Sequence, residues 1–138
     1  MKIIDLEAHF FTETYVEYLR KNKEFPRLET VGAEGGKGER LLLDGGLWAM
    51  RDAAKRALLD FEDARFAEMD ANHVALQVLS LAGPGCELFK PSEATPLVRE
   101  INDEIAGVMK KHPDRFVGLA ALAPQDPEGA ADELERAV

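Results

Sequence analysis

The sequence predicts an α/β protein with parallel strands, and two observations lead to this prediction. Apolar runs at about 2–8, 73–81 and 115–123 have the length and composition of buried strands. Longer segments with helical spacing of apolar residues separate these runs and follow the last one. Strands that alternate with long helices pair in parallel through right-handed crossovers. With 138 residues, the chain has the length of one ordinary domain.

The first strand combines apolar residues with polar groups near its carboxyl end. In "IIDLEAHFF" (3–11), side chains two positions apart are expected to share a face of the sheet. One face is therefore predicted to hold Ile3, Asp5, Glu7 and His9. The other face, formed by the even-numbered residues, is apolar throughout and is predicted to pack against a hydrophobic layer.

The segments between the first two strands predict one helix, a hairpin and a divided helical region. Residues 12–22 are predicted to form a helix capped by Thr12. In 27–46, two apolar patches flank a glycine-rich loop, which predicts a hairpin with a mobile tip. Residues 47–72 contain neither Pro nor Gly and are predicted to be mainly helical, in two pieces that meet near 59–62.

Two later helices are predicted from their amino-terminal signals. Thr95 and Pro96 supply a cap and a first helical position for one helix, and Asp126 and Pro127 do the same for the other. The last helix shows no stop signal before Val138. Because three strands alone leave sheet edges exposed, we expect the chain to be the front part of a longer protein.

Charge and cysteine content exclude several classes of function. Lys and Arg number 17 against 26 Asp and Glu, a net charge of −9, which argues against nonspecific nucleic-acid binding. There is no basic amphipathic segment for an anionic membrane surface and no apolar run near the roughly 18 residues of a membrane span. Cys86 is the one cysteine, so the chain has no internal disulfide, and a reducing, cytoplasmic setting is predicted.

Two common alternatives find little support in the sequence. A dinucleotide site needs a G-x-G-x-x-G turn after a strand, but "HFFTET" has no glycine and "GPGCEL" has Leu88 in place of the third. Cys86 follows a strand, yet no base is assignable to activate it as a nucleophile. His73 and His112 are interpreted as structural, because one begins a strand and the other caps a helix.

Glu7 and His9 are the strongest candidates for chemistry, although the residues alone leave their role open. A carboxylate and an imidazole on one face of a strand can bind the same divalent ion. They can equally be a salt-bridged acid beside a surface histidine, and two ligands are too few for a catalytic zinc. Ser80 ends the strand at 73–81, where it can contact a substrate or bond to its own loop backbone.

Three segments resemble the amidohydrolase-related decarboxylases, a group that includes γ-resorcylate, 2,3-dihydroxybenzoate and aminocarboxymuconate semialdehyde decarboxylases. They are "DLEAHF", "LLDFEDARFAEMDANHVALQVLSLAGPG" and "INDEIAGVMKKHPDRFVGLAALAPQDPEGAADELERAV". The likeness is poor over 23–55. It implies a (β/α)8 TIM barrel of which this chain covers about the first three β/α units. Residues 1–138 would then be the N-terminal portion of a single barrel domain, with an insertion at about 23–48.

The resemblance also implies a site and a reaction. Glu7 and His9 would be metal ligands, Ser80 and Pro84 would line the substrate pocket, and a further catalytic His and Asp would lie beyond Val138. The ion would be one divalent metal, with zinc expected first and manganese or magnesium as alternatives. The implied function is non-oxidative decarboxylation of a small hydroxylated aromatic acid of the dihydroxybenzoate type. A homodimer or homotetramer is expected.

Two other functions stay open beside this one. The same barrel could hydrolyse a lactone or similar ester, with the metal activating water. The 138-residue chain could also be a truncated form without activity of its own. One departure from the relatives is His73, where they often have glycine. Asn72 or His73 would then adopt a positive φ, which Asn tolerates best.

Overall fold

A computed structural model of the protein describes residues 2–33, 36–44, 46–48 and 52–138. The elements in chain order are β1 (Ile3–Phe10), α1 (Glu13–Lys21), β2 (Arg27–Ala33), β3 (Gly36–Leu43), β4 (Gly46–Trp48), α2 (Asp52–Leu59), α3 (Asp63–Ala71), β5 (Val74–Leu81), α4 (Pro91–Lys111), β6 (Phe116–Gly118) and α5 (Pro127–Ala137). Within these ranges, no helix is both long and apolar enough to cross a membrane.

The two sheets confirm the predicted strand pairing. Strands β1, β5 and β6 form a parallel sheet in the order β1-β5-β6. Strands β2, β3 and β4 form a separate antiparallel sheet, which contains the hairpin predicted within 27–46. The glycine-rich loop predicted between the two apolar patches is shorter than expected, because 32–33 and 36–40 pair as strands. Its tip at 34–35, predicted to be mobile, lies outside the described residues.

Two helix caps predicted from the sequence are confirmed by their hydrogen bonds. The Thr12 hydroxyl accepts the backbone N–H of Tyr15 at 3.1 Å, which caps α1. The Asp126 carboxylate accepts the N–H of Gly129 at 3.2 Å, which caps α5. Each cap satisfies an amide at the start of a helix that has no partner within the helix itself.

The prediction that Thr95 and Pro96 begin a helix is wrong. Helix α4 begins at Pro91, after Lys90 in an extended conformation, and Pro96 lies inside it. Pro96 is exposed, so its missing amide breaks the helical ladder on the solvent side, where water can serve the freed carbonyl. The Thr95 hydroxyl donates to the Asp126 carboxylate at 2.5 Å, and this bond joins α4 to the start of α5.

Two other element bounds differ from the prediction. Leu47 and Trp48, predicted to be helical, belong to the strand Gly46–Trp48, which pairs with β3. The break between α2 and α3 lies at the predicted place. The last strand is shorter than 115–123 and ends at Gly118. The reason is Asn102, whose amide accepts the N–H of Ala121 at 2.8 Å and donates to its carbonyl at 2.9 Å, which takes this backbone out of the sheet.

A bulge in β1 changes the predicted division of its faces. Asp5 pairs with Gln77 and Ala8 with Leu79, so three residue steps on β1 match two on β5. Gln77 also donates a side-chain hydrogen bond to Asp5 at 3.1 Å. Because His9 pairs with Ser80, three residues beyond Gln77, Asp5 and His9 lie on opposite faces of the sheet. The prediction that Asp5 shares the face of His9 is therefore wrong.

The even-numbered residues of β1 do not form one buried apolar face as predicted. Ala8 and Phe10 are buried, but Ile4 and Leu6 are 55% and 74% exposed. Ile4 pairs with Leu76, which lies on the same side of β5 as Ser80. The bulge thus leaves apolar residues of β1 on the open face of the sheet.

One face of the parallel sheet is open, and helices cover the opposite face. The core lies between the sheet and these helices. Its fully buried large side chains include Phe10, Leu79 and Phe116 from the three strands, together with Tyr15 and Ile101 from α1 and α4. Burial of such side chains contributes about 1.5–3 kcal/mol each. The core therefore fixes the strands whose carboxyl ends carry Glu7, His9 and Ser80.

The two histidines interpreted as structural occupy junctions of the fold. His73 has φ of 58° immediately before β5, whereas Asn72 has φ of −100°. The positive φ predicted at this pair therefore falls on the histidine. His112 caps the carboxyl end of α4, and its ring meets Phe66 edge to face at a centroid distance of 5.0 Å.

Candidate metal centre

His9 and Ser80 meet across two neighbouring parallel strands. The residues are partners in the register of β1 and β5. The Nδ1 atom of His9 lies 3.0 Å from the Oγ atom of Ser80, within hydrogen-bond distance. Both residues lie near the carboxyl ends of their strands, the edge at which parallel α/β sheets place ligands.

Glu7 lies on the same side of β1 as His9. From Glu7 to Phe10 exposed and buried residues alternate, with Ala8 and Phe10 buried and Glu7 and His9 exposed. The backbone N–H of Glu7 donates to the Asp5 carboxylate at 3.1 Å, and the side chain is exposed. In the described part of the chain, no group forms a hydrogen bond or ion pair with the Glu7 carboxylate. Of the four residues predicted to share one face, the structure thus keeps Glu7 and His9 together, and Ile3, whose partner Val74 lies on the same side of β5 as Ser80, is with them.

The donor set of Glu7 and His9 fits a divalent cation. A carboxylate oxygen and a neutral imidazole nitrogen are ligands for zinc and for manganese. The engagement of Nδ1 with Ser80 leaves Nε2 as the nitrogen of His9 available for an ion. Across residues 2–33, 36–44, 46–48 and 52–138, no three His, Cys, Asp or Glu side chains form a metal-binding group. These two donors are therefore part of a coordination shell at most.

Arg65 on α3 supports this site from the helix side of the sheet. Its guanidinium donates to the backbone carbonyl of His9 at 2.9 Å and to that of Ala57 at 2.9 Å. It also donates to the carbonyl of Asp60 at 2.6 Å and to the Gln77 side chain at 3.2 Å. Burial lowers the pKa of the Arg65 guanidinium from its ordinary value. Because these acceptors are far apart in the chain, no local sequence pattern could have identified this residue.

The loop that carries Pro84 is held by two side chains from distant elements. Tyr15 donates its hydroxyl hydrogen to the carbonyl of Gly85 at 2.8 Å. Gln125 donates to the carbonyls of Cys86 at 2.8 Å and Phe89 at 3.0 Å. Pro84 itself is half-buried, four residues after Ser80 along the chain. Tyr15 and Gln125 lack a local sequence signal for this role, since the loop meets them only in the fold.

The structure argues against Cys86 as a nucleophile. Its side chain is 1% exposed. Burial, assisted by the negative charge of Glu87, raises the pKa of the Cys86 thiol to about 12. The group is therefore protonated at neutral pH, and a thiol is far less reactive than a thiolate.

The chain matches a known protein family over nearly its whole length. A family model described as "Amidohydrolase" matches residues 4–138. Over 88 residues the chain is 41% identical to the gamma-resorcylate decarboxylase of Rhodococcus jostii (strain RHA1). The aligned region covers 63% of this chain and 27% of that enzyme. Over 77 residues it is 36% identical to the 2-amino-3-carboxymuconate-6-semialdehyde decarboxylase of Dictyostelium discoideum. This aligned region covers 55% of this chain and 21% of that enzyme.

Solved structures with similar folds extend these likenesses over nearly the whole chain. The 5-carboxyvanillate decarboxylase of Sphingomonas paucimobilis superposes with a TM-score of 0.76 at 30% identity, covering 99% of this chain and 39% of that one. A dihydroxybenzoic acid decarboxylase of Polaromonas sp. JS666, with bound manganese and the inhibitor 2-nitroresorcinol, gives 0.68 at 31% identity, with coverage of 98% and 34%. The chain thus spans about a quarter of the two curated relatives named above and just over a third of these structures.

Proposed function

This chain belongs to the amidohydrolase family, and on that premise we propose that it is part of a metal-dependent, non-oxidative decarboxylase of a hydroxylated aromatic acid. The resemblance drawn from its sequence segments is confirmed by the family match and by the decarboxylases among its relatives. The observation that carries the proposal is that Glu7 and His9 are exposed alternate residues of β1, a strand of the parallel sheet, with buried Ala8 between them.

The parallel sheet fits the first part of a larger barrel. The related decarboxylases imply a TIM barrel, and this chain contributes its N-terminal portion, with β1, β5 and β6 as neighbouring strands. We place residues 1–138 in one barrel domain, with the antiparallel sheet β2-β3-β4 as an insertion. The remaining metal ligands and the catalytic His and Asp are expected beyond Val138. On this view the 138-residue chain alone has no activity.

The donors on β1 would hold a single divalent ion. Glu7 would contribute a carboxylate oxygen and His9 an imidazole nitrogen. When bound, such an ion supplies a Lewis acid and a template for the carboxylate and the adjacent hydroxyl of an aromatic acid. Zinc is the metal expected from the sequence resemblance, but two related decarboxylase structures hold manganese, so manganese and zinc are both candidates and magnesium is a third.

This chain's own residues would orient the ring of the substrate. Ser80 lies near the end of β5 beside His9, and Pro84 follows in a loop that Tyr15 and Gln125 hold in place. A wall fixed in this way suits a flat, rigid ligand, since little loop ordering is required on binding. A small aromatic carboxylic acid is the substrate class, in line with the 2,6-dihydroxybenzoate bound to a related decarboxylase.

An assay on the full-length protein tests the function. The protein is stripped with a chelator, resupplied with manganese, zinc or magnesium, and given 2,6-dihydroxybenzoate or 5-carboxyvanillate. We expect metal-dependent release of carbon dioxide. Opening of an aromatic lactone, measured in parallel, would instead assign the hydrolase alternative. Carbon dioxide release that is unaffected by the chelator, or no release with any metal, would contradict the proposal.

Assembly and location complete the proposal. We expect a homodimer or homotetramer, to be measured by light scattering of the purified full-length protein. We place the protein in the cytoplasm, because its one cysteine, Cys86, is a buried thiol of the kind that a reducing compartment preserves. Fractionation of cells that express a tagged full-length protein checks the location.

A further inference from the structure

We propose that Ser80 is a positioning residue that selects the tautomer of His9. In this arrangement Nδ1–H of His9 donates to the Oγ atom of Ser80, and Nε2 keeps its lone pair for the ion. The inference rests on the proposed function, because it assumes that His9 is a metal ligand. It is compatible with the substrate contact proposed above for Ser80, because a hydroxyl that accepts from His9 still has a hydrogen to donate.

The position of both groups comes from regular structure. His9 and Ser80 are register partners on adjacent parallel strands, and the ring nitrogen lies 3.0 Å from the hydroxyl oxygen. Leu79, the neighbour of Ser80, is fully buried, which fixes this end of β5. A hydrogen bond between two strand positions is held more tightly than one that depends on a loop.

The backbone of His9 is fixed independently of this bond. Arg65 donates to its carbonyl oxygen at 2.9 Å, and Arg65 is itself held by the carbonyls of Ala57 and Asp60. The remaining freedom of His9 is rotation of its side chain. In the described part of the chain, Ser80 is the group that forms a hydrogen bond with the ring. The serine hydroxyl is therefore the contact that orients the imidazole.

The direction of the bond follows from the chemistry of a neutral imidazole. One of its nitrogens carries hydrogen and the other has a lone pair. A hydroxyl can serve either nitrogen, so the distance alone allows both tautomers. If Nε2 is to bind an ion, the hydrogen must be on Nδ1, and Nδ1–H must be the donor to Ser80. Histidine ligands of metals commonly have such a second partner, and its removal typically weakens metal binding about 10- to 100-fold.

The tautomer can be read directly by NMR of the full-length protein labelled with 15N at histidine. Spectra are recorded without metal at alkaline pH, because only a neutral imidazole has two tautomers to distinguish. The His9 signal is assigned as the one lost in His9→Gln. We expect the Nδ1–H tautomer to dominate in the wild type and in Ser80→Thr, which keeps the hydroxyl. In Ser80→Ala we expect a shift towards Nε2–H. Ser92→Ala, an exposed site on α4, is the matched control and should leave the signal unchanged.

Calorimetric titration of the same proteins with manganese provides a second readout. Ser80→Ala should raise the Kd for manganese about 10- to 100-fold, whereas Ser80→Thr and Ser92→Ala should stay near the wild type. A wild-type ring in the Nε2–H form, or the same tautomer and the same Kd in Ser80→Ala, would overturn the inference. Carbon dioxide release separates this result from the function. If the tautomer depends on Ser80 but the protein releases no carbon dioxide, only the proposed function is refuted. If the protein releases carbon dioxide but the tautomer does not depend on Ser80, only the role of Ser80 is refuted.

Discussion

The guanidinium of Arg65 donates a hydrogen bond to the backbone carbonyl of His9 at 2.9 Å, which joins α3 to the carboxyl end of β1. This contact crosses from the helix layer to the strand that carries both candidate ligands. The site therefore depends on a cation that has no direct role in binding an ion. Its removal should affect stability first and the metal site as a consequence.

Replacement of Arg65 by alanine should destabilise the protein by about 2–4 kcal/mol, because it leaves several backbone carbonyls without a donor. Urea unfolding followed by circular dichroism measures the change. Arg56→Ala is the matched control, since Arg56 is exposed on the neighbouring helix α2 and should change stability by less than about 0.5 kcal/mol. Equal effects of the two substitutions would contradict the role given to Arg65.

Glu133 forms a buried contact between α4 and α5, and its loss should also destabilise the fold. Its side chain is fully buried and accepts hydrogen bonds from Asn102 at 2.7 Å and from Arg136 at 2.7 and 2.8 Å. Glu133→Ala should lower the free energy of unfolding by about 2–4 kcal/mol, since it leaves these donors unpaired. Glu135→Ala, at an exposed position of α5, should have little effect in the same unfolding experiment. An unchanged free energy of unfolding in Glu133→Ala would refute the role of this contact.

Alternation along β1 predicted part of the site and failed where the strand shifts its register against β5, between Ile3 and Ile4 and between Asp5 and Ala8. Exposure alternates from Glu7 to Phe10, as expected for the period-two pattern from which the shared face of Glu7 and His9 was predicted. Asp5 precedes the bulge and lies on the other face. The pattern of apolar and polar residues around Leu6 gives no sign of the extra residue, because the bulge is defined by pairing with a strand some 70 positions away.

Helix signals showed a similar limit. The caps at Thr12 and Asp126 were predictable because each acts within its own first turn. Thr95 carries the same local signal, but its hydroxyl is used by Asp126 across the interface of α4 and α5. Pro91 and Pro96 are both suitable first residues of a helix, and α4 begins at Pro91. Tertiary contacts decide between two start signals of equal local strength.

The Glu39 carboxylate should make stability depend on pH in the acid range. It forms ion pairs with Arg20 of α1 and Lys55 of α2. The hydrogen bond from Arg20 and the contacts with Lys55 lower the pKa of Glu39 from 4.5 to about 2. Its contribution is therefore present above pH 4.5 and is lost as the pH falls towards 2. Glu39→Gln should cost about 1–2 kcal/mol at pH 7, an estimate that allows for solvent screening.

Urea unfolding of Glu39→Gln at pH 7 and near pH 3 checks this dependence. The gap between the variant and the wild type should narrow at the lower pH. Glu100→Gln, at an exposed position of α4, is the control and should show no such narrowing. A gap that stays constant or widens on acidification would show that Glu39 does not act through its ionised form.

The Cys86 thiol should react slowly in the native protein. Because burial raises its pKa to about 12, the reactive thiolate is scarce at pH 8. Alkylation by iodoacetamide, followed by mass spectrometry, should be many times slower in buffer than in urea. In the full-length protein, Cys86→Ala should retain carbon dioxide release. Rapid native alkylation together with loss of activity in Cys86→Ala would restore the nucleophile hypothesis.

The manganese content of four versions of the full-length protein tests the central claim most directly. Elemental analysis after reconstitution and gel filtration should find one ion per chain in the wild type and in Asp5→Asn, whose altered residue lies on the opposite face of β1. Glu7→Gln and His9→Gln should each lose most of the ion, because each removes a ligand. A full manganese content of one ion per chain in both of these variants would show that Glu7 and His9 do not bind the metal.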